Sequence, residues 1–377
     1  MLSQPPLWFI LVAFLAALGP LIFFHELGHY WVARLFGVGA ESFSIGFGRE
    51  IGGWTDKRGT RWKVGWLPLG GYVKFVGDLN PVSMPGEVEE GLSPEERRLS
   101  FHHRPVWQRF LIVLAGPAAN FVLAILIFAA FFAAMGVPRT SNVVTGIQPA
   151  SPAQQAGIER GDRILSIAGR ETGTFEEIFQ VVTLRPGAQV EILIERDGEE
   201  RAFPLRIAAV EERDQFGQEF RVGRIGVLGS QRTYVDLPVT QLVPAATAYT
   251  WSMTRSIVDA LGQIITGRRS VKELGGPLKM AQIAGQQASL GLFEFVYLVA
   301  LFSINLGFIN LLPVPMLDGG HLALYSVEAV RRRPVSLRSQ EWAFRGGLAI
   351  LLALLLFTTL NDLGSFGLWE GVGRLIG

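Results

Sequence analysis

Residues 7–36 read LWFILVAFLAALGPLIFFHELGHYWVARLF, and residues 1–24 contain no Asp, Glu, Lys or Arg. An uncharged apolar run of this length has the makings of a helix that crosses a bilayer, for which about 20 residues suffice. The run continues without interruption into His25-Glu26-Leu27-Gly28-His29. At about 1.5 Å per residue, His25 lies about 27 Å along a helix starting near Leu7, so the cluster sits at membrane depth, towards the inner end. Ionisable groups there are costly and by default functional. A cleaved signal peptide would carry a basic leading region and a small-residue cleavage site; neither is seen ahead of the histidines.

Histidines at i and i+4 project from one side of a helix and can share one zinc ion, while the carboxylate of Glu26 beside them can accept a proton from water. The chain has only five histidines, and a chance match to this pattern has a probability of roughly 1% or less. A buried polar cluster that merely ties helices together explains two histidines and a glutamate poorly.

The composition agrees with a chain of two materials. Of 377 residues, 49% are hydrophobic and 18% charged, with a mean hydropathy of +0.32. That is too little charge for a wholly soluble protein and too much for a bundle that is membrane throughout. A net charge of +1 disfavours nucleic acid as a partner, and zero cysteines exclude disulfide scaffolds, iron–sulfur clusters and thiol nucleophiles. Three further weakly charged windows are Phe110–Pro138, Phe295–Leu317 and Gly346–Asn361, which with the first predict four transmembrane helices. Arg and Lys concentrate between the first and second spans (Arg49 to Arg104) and between the third and fourth (Arg331 to Arg338). Excess basic charge marks the cytoplasmic side. Both termini and the region between spans two and three are therefore expected outside.

Two histidines leave a catalytic zinc one protein ligand short. The candidate is Asp318, in Asn310-Leu-Leu-Pro-Val-Pro-Met-Leu-Asp318-Gly-Gly-His321, because span three runs inward and ends at the depth where span one ends. Pro313 and Pro315 interrupt the helix just before it, freeing backbone groups that need partners inside protein or a cavity. His102 and His103, among charges, read as solvated, and His321 as an interfacial residue or, alternatively, one standing behind the metal-facing residues.

The outer region contains strand patterns at Val143–Ile147, Arg163–Ile167, Gln189–Glu195 and Ala202–Ile207, a turn at Arg196-Asp-Gly198, and a helix Phe175–Thr183 capped by Thr174. With Ser151–Arg170 (SPAQQAGIERGDRILSIAGR), this stretch resembles one PDZ domain of the circularly permuted bacterial type, over about 142–210. Residues 211–290 are expected to lie along the membrane surface, with Arg255 and Asp259 paired at i,i+4 on an amphipathic helix. Ser42–Phe75 alternates like glycine-broken strands. The expected segments are then 1–36 (first span), 37–104 (cytoplasmic loop with β structure), 105–136 (second span), 291–333 (third), 341–365 (fourth) and 366–377 (tail).

Taken in order, HELGHY, Ala115-Gly-Pro-Ala-Ala-Asn120, one PDZ domain and Asn305…Asn310-Leu-Leu-Pro-Val-Pro-Met-Leu-Asp318-Gly resemble the site-2 protease family of intramembrane zinc metalloproteases, bacterial RseP type. The resemblance implies a polytopic α-helical membrane protein of the bacterial inner membrane, with a re-entrant β segment at Ser42–Phe75 and a periplasmic PDZ domain. It implies zinc on His25, His29 and Asp318, Glu26 as general base, and Asn305, Asn310, Pro313 and Pro315 towards substrate. It implies cleavage of the transmembrane segment of a single-pass regulator, anti-sigma-factor-like, already trimmed by another protease in an envelope stress response. The PDZ domain would gate access or bind a ligand or adaptor. That type is best known with two PDZ domains, and a single copy puts the geometry of any size filter in doubt. Three rivals are an intramembrane serine protease using Ser303 near His321, a catalytically dead scaffold presenting its PDZ domain, and a zinc transporter. The first lacks a G-x-S-x-G context, the second wastes the retained His25, Glu26, His29 and Asp318, and the third lacks a relay across the bundle.

Overall fold

Backbone groups in hydrocarbon must be satisfied within their own segment, so uncharged runs become helices. The computed structural model, which describes residues 5–78, 92–213, 219–229, 233–267, 270–271 and 274–365, has four helices long and apolar enough to cross a membrane. The expected tail, 366–377, lies outside the described residues. The chain runs α1 (Leu7–Leu35), β1 (Ala40–Thr55), β2 (Arg61–Phe75), α2 (Pro94–Leu99) and α3 (Val106–Met135). Then follow β3 (Val137–Arg139), β4 (Gly146–Ile147), α4 (Pro152–Gln155), β5 (Arg163–Ile167), β6 (Arg170–Glu171), α5 (Phe175–Thr183), β7 (Gln189–Arg196) and β8 (Glu199–Arg206). The remainder is β9 (Ala208–Arg213), β10 (Glu219–Arg224), β11 (Val227–Leu228), β12 (Thr233–Val235), α6 (Val239–Ile265), α7 (Pro277–Leu290), α8 (Leu292–Leu311), α9 (Asp318–Arg331) and α10 (Leu337–Ser365). Two compact units result. One takes the described residues up to Phe128 and Gly275–Leu360; the other takes those of Ala129–Leu274 and the end of α10 from Asn361.

In the first unit, Ala17 and Leu21 of α1, Ala284 of α7, and Leu298, Val299 and Phe302 of α8 form one buried cluster. Within the stretch 211–290, expected along the membrane surface, the last part is a packed helix. Helix α7 packs on α1 through the small residues Ala281, Ala284 and Gly285, which permit close approach between helices. The expected third span, 291–333, is likewise two helices, α8 and α9, separated at Leu312–Leu317 where the prolines stand.

Strand β1 pairs antiparallel with β2, and residues 42–45 of β1 are matched with both 61–64 and 71–74, so the two long strands fold back into a small sheet. Asp56 anchors this sheet to α1, accepting hydrogen bonds from Tyr30 Oη (3.3 Å) and Trp62 Nε1 (2.9 Å). Phe43 stacks on Trp62 at 4.3 Å within the same core. The anchoring brings Gly71 so near Ile22 and Glu26 that an added Cβ would stand 2.7 Å and 2.9 Å from their side chains.

In the second unit, β6-β5-β7-β8 form a sheet closed over by α5, whose N-terminus carries the Thr174/Glu177 capping box. Asp197 and Gly198 at positive φ make the β7–β8 turn. The module was expected to end near 210, but its buried core includes Ile225, and β11 pairs with β4. The pairing joins residues far apart in the chain, which strand-by-strand patterning does not reveal. The expected Arg255–Asp259 pair gives way to another: Asp259 of α6 accepts from Arg170 at 2.8 Å and lies 3.6 Å from Arg185.

Asp162 accepts two 2.7 Å hydrogen bonds from Arg196, with its side chain 1% exposed. Burial works against its charge, but the hydrogen bonds from Arg196 and the backbone N–H of Glu159 outweigh it and hold the carboxyl below its ordinary value. The ionised form is thus favoured by folding. Its contribution is present above about pH 4 and is lost as pH falls towards and through the depressed value. Asp162→Asn should cost about 2–4 kcal/mol at pH 7 and flatten the acid limb of a stability–pH curve, measured by thermal unfolding in detergent.

Candidate metal centre and active site

Helix α1 carries His25, Glu26 and His29, all half-buried to buried, and α9 opens with Asp318. His25 Nε2 lies 3.2 Å from His29 Nε2, and Asp318 Oδ2 lies 3.1 Å and 3.6 Å from those two nitrogens. Tetrahedral ligation at about 2.0–2.2 Å sets neighbouring ligand atoms about 3.3–3.5 Å apart. The three atoms therefore stand at the spacing one such ion requires. Asp318 Oδ2 is buried without a hydrogen-bond donor, a costly state that a cation relieves. Nitrogen and carboxylate donors in this number suit zinc with a position left open. Among the described residues, His25, His29 and Asp318 form the single group of three or more potential ligands.

The cluster is supported from the neighbouring helices. His29 Nδ1–H donates to the Ile112 carbonyl of α3 at 2.9 Å, presenting Nε2 to the metal position. Gly28 and Gly116 mark the crossing of α1 and α3: a Cβ on Gly28 would stand 2.2 Å from the Ala115 carbonyl oxygen, and one on Gly116 2.2 Å from His29 Nε2. Arg109 of α3 donates to Glu328 at 2.7 Å and lies 4.8 Å from the ring centre of Tyr325. These contacts hold α9, and Asp318 at its start, against α3.

A cavity of about 480 Å³ opens beside the cluster and is lined by Glu26, Asn310, Met316, His321 and Tyr325, with strand residues 70–73 along one wall. Of the residues expected towards substrate, Asn310 reaches this lining. Asn305, Pro313 and Pro315 are not among the lining residues. The prolines instead shape the α8–α9 break, and Gly347 of α10 packs on Pro315. His321, expected at the interface, and Tyr325, unremarked in the sequence, both line the cavity. Their spacing of three and seven residues from Asp318 was the available signal, since those positions share a helix face.

Two other expectations change. His102 is not merely solvated: it lies 2.9 Å from Asp78, whose side chain is 1% exposed and also accepts from the Phe75 N–H. Ser303, the nucleophile of the serine-protease alternative, is fully buried, donates to the Asn120 carbonyl at 2.7 Å and does not line the cavity.

Apolar spans enclosing a His-His-Asp cluster, with a buried glutamate and a cavity beside it, define an intramembrane metalloprotease. Residues 13–354 match Peptidase family M50, and the chain belongs to that family. It is 41% identical over 360 residues to an Agrobacterium fabrum protein provisionally named a zinc metalloprotease, covering 94% of this chain and 96% of that one. It is also 36% identical over 390 residues to the metalloprotease MmpA of Caulobacter vibrioides, covering 97% and 98%. A PDZ domain of an SdrC-like protein from Listeria monocytogenes aligns with 25% of this chain and 90% of its own, at 19% identity and a TM-score of 0.20.

Proposed function

We propose that this metalloprotease hydrolyses a peptide bond within the transmembrane segment of a single-pass, anti-sigma-factor-like regulator, after another protease has removed the regulator's outer part. The observation that carries the reading is the convergence of His25, His29 and Asp318 beside Glu26 at the wall of a cavity among apolar helices. His25, His29 and Asp318 would hold the zinc ion, which when bound would supply Lewis acidity to the scissile carbonyl and to water near neutral pH. The Glu26 carboxylate accepts the proton from that water and returns it to the leaving amine nitrogen. Burial of Glu26 under the strand at Gly71 limits competing solvent around the carboxylate.

A scissile helix must open before attack, and its freed amides need partners. Asn310, with both a donor and an acceptor, is placed to meet them from the cavity wall. Strand residues 70–73 offer an edge to which an extended substrate can add. Pro313 and Pro315 act at one remove, by shaping the helix break that carries Asp318, and Asn305 is a further candidate partner for the substrate backbone. The basic loops favour the cytoplasmic face of a bacterial inner membrane, with both termini and the β-rich unit in the periplasm. That unit is read as one PDZ domain, gating access or binding a ligand or adaptor in the envelope stress response.

The test compares membrane proteomes of cells carrying the wild type and the Glu26→Gln variant under envelope stress. Trimmed single-pass fragments should accumulate in the variant and vanish on re-expression of the wild type. Identical fragment populations under every stress applied would overturn the regulatory reading.

A further inference from the structure

We propose that Asn120 is a positioning residue that fixes the tautomer and ring orientation of His25 for the metal. The proposal rests on the zinc reading of the site above. Asn120 lies on α3 with 0% exposure, and its side-chain amide stands 3.1 Å from His25 Nδ1. An imidazole that offers Nε2 to a metal carries its proton on Nδ1, and Nδ1–H then needs an acceptor. His29 obtains one from the Ile112 carbonyl at 2.9 Å. His25 has the side chain of Asn120, two turns further along the same helix.

The two ends of an amide are nearly the same shape, and half a turn of the group exchanges them. With Nδ2 towards His25, the ring nitrogen must accept, which moves the proton to Nε2. That nitrogen faces His29 Nε2 at 3.2 Å and Asp318 Oδ2 at 3.1 Å, so this arrangement leaves no Nε2 lone pair for a metal. It also leaves Asn120 Oδ1 buried without a donor. With Oδ1 towards His25, the amide accepts from Nδ1–H and the Nε2 lone pair is free for the metal. Ser303 Oγ of α8 donates to the backbone carbonyl of Asn120 at 2.7 Å, a contact separate from the side-chain amide that faces His25.

One helix thereby sets both imidazoles, through a backbone oxygen for His29 and a side-chain oxygen for His25. A carboxylate at position 120 would do the same work, because it can only accept. An apolar side chain of similar size would fill the space and leave Nδ1–H without a partner.

The experiment measures Zn²⁺ affinity of the purified full-length protein by chelator competition, and the visible spectrum of its Co²⁺ form, for the wild type, Asn120→Leu, Asn120→Asp and Ser303→Ala. Thermal unfolding of each metal-free protein verifies that the variants fold. Asn120→Leu should weaken zinc binding about 10- to 100-fold and alter the Co²⁺ spectrum. Asn120→Asp and Ser303→Ala should stay within about threefold of wild type, a margin below the loss expected for a missing outer partner. Wild-type affinity in Asn120→Leu, or equal loss in the Leu and Asp variants, overturns the proposal. No uptake of zinc or cobalt by the wild type overturns the metal reading itself, and is thereby distinguished from failure at Asn120 alone.

Discussion

Glu26→Gln lowers the rate of peptide-bond cleavage by about 10³-fold or more, while the purified variant retains the wild-type zinc content. The magnitude is that of removing a positioned general base. Gln has the shape of Glu, so the close packing of the side chain against Gly71 survives, and the three metal-facing atoms belong to other residues. What is lost is the ability to accept and return a proton. Cleavage of a membrane-embedded substrate in detergent or liposomes, with metal content measured on the same sample, checks both halves. Cleavage within about tenfold of wild type would remove Glu26 from the role, since that loss is below the range for a general base.

Gly116→Ala should be nearly as damaging, for a steric reason. The added Cβ would lie 2.2 Å from His29 Nε2 and 2.4 Å from Cε1 of the same ring. Those are distances at which either the ring turns away from the metal or α3 retreats from α1. Zinc affinity should fall about 100-fold or more, the upper end of losses seen when the surroundings of a metal ligand are disturbed, and proteolysis should fall with it. Gly19→Ala provides the contrast: nothing lies within 4 Å of a Cβ there, and Ala favours a helix over Gly. Equal zinc affinity in Gly116→Ala and wild type, measured by chelator competition, would show that the crossing is looser than its geometry indicates.

The sequence exposed those parts of this protein that depend on local composition or fixed spacing. Four long apolar runs announced the spans, and the spacing of His25 and His29 announced that their side chains meet, because a helical turn brings i and i+4 together. Asp318 followed from its position after a proline-broken helix. Features made by distant segments stayed hidden. The docking of α7 on α1 left no periodic trace, because it rests on the small residues Ala281, Ala284 and Gly285, whose size rather than hydrophobicity permits the approach. Asp78 and His102 are separated by 24 residues and pair at 2.9 Å, a contact with no periodic trace. The β-rich unit ran past its expected end because Ile225 returns to a core begun by Val144. At the site, Tyr325 was overlooked because an aromatic residue on an amphipathic helix ordinarily signals packing.

The chain order of the ligands has a further consequence. His25 and His29 lie before the β-rich unit and Asp318 lies after it, with the interruption beginning at Ala129 and ending at Leu274. Chains emerge at about 5–20 residues per second. The histidines are therefore made about 15 to 60 s before the aspartate about 290 residues downstream. On the zinc reading proposed above, the half-made chain lacks the last of its three metal-facing residues throughout that interval. Synthesis itself acts as a timer, and hydrolytic power arrives only once the β-rich unit has been completed.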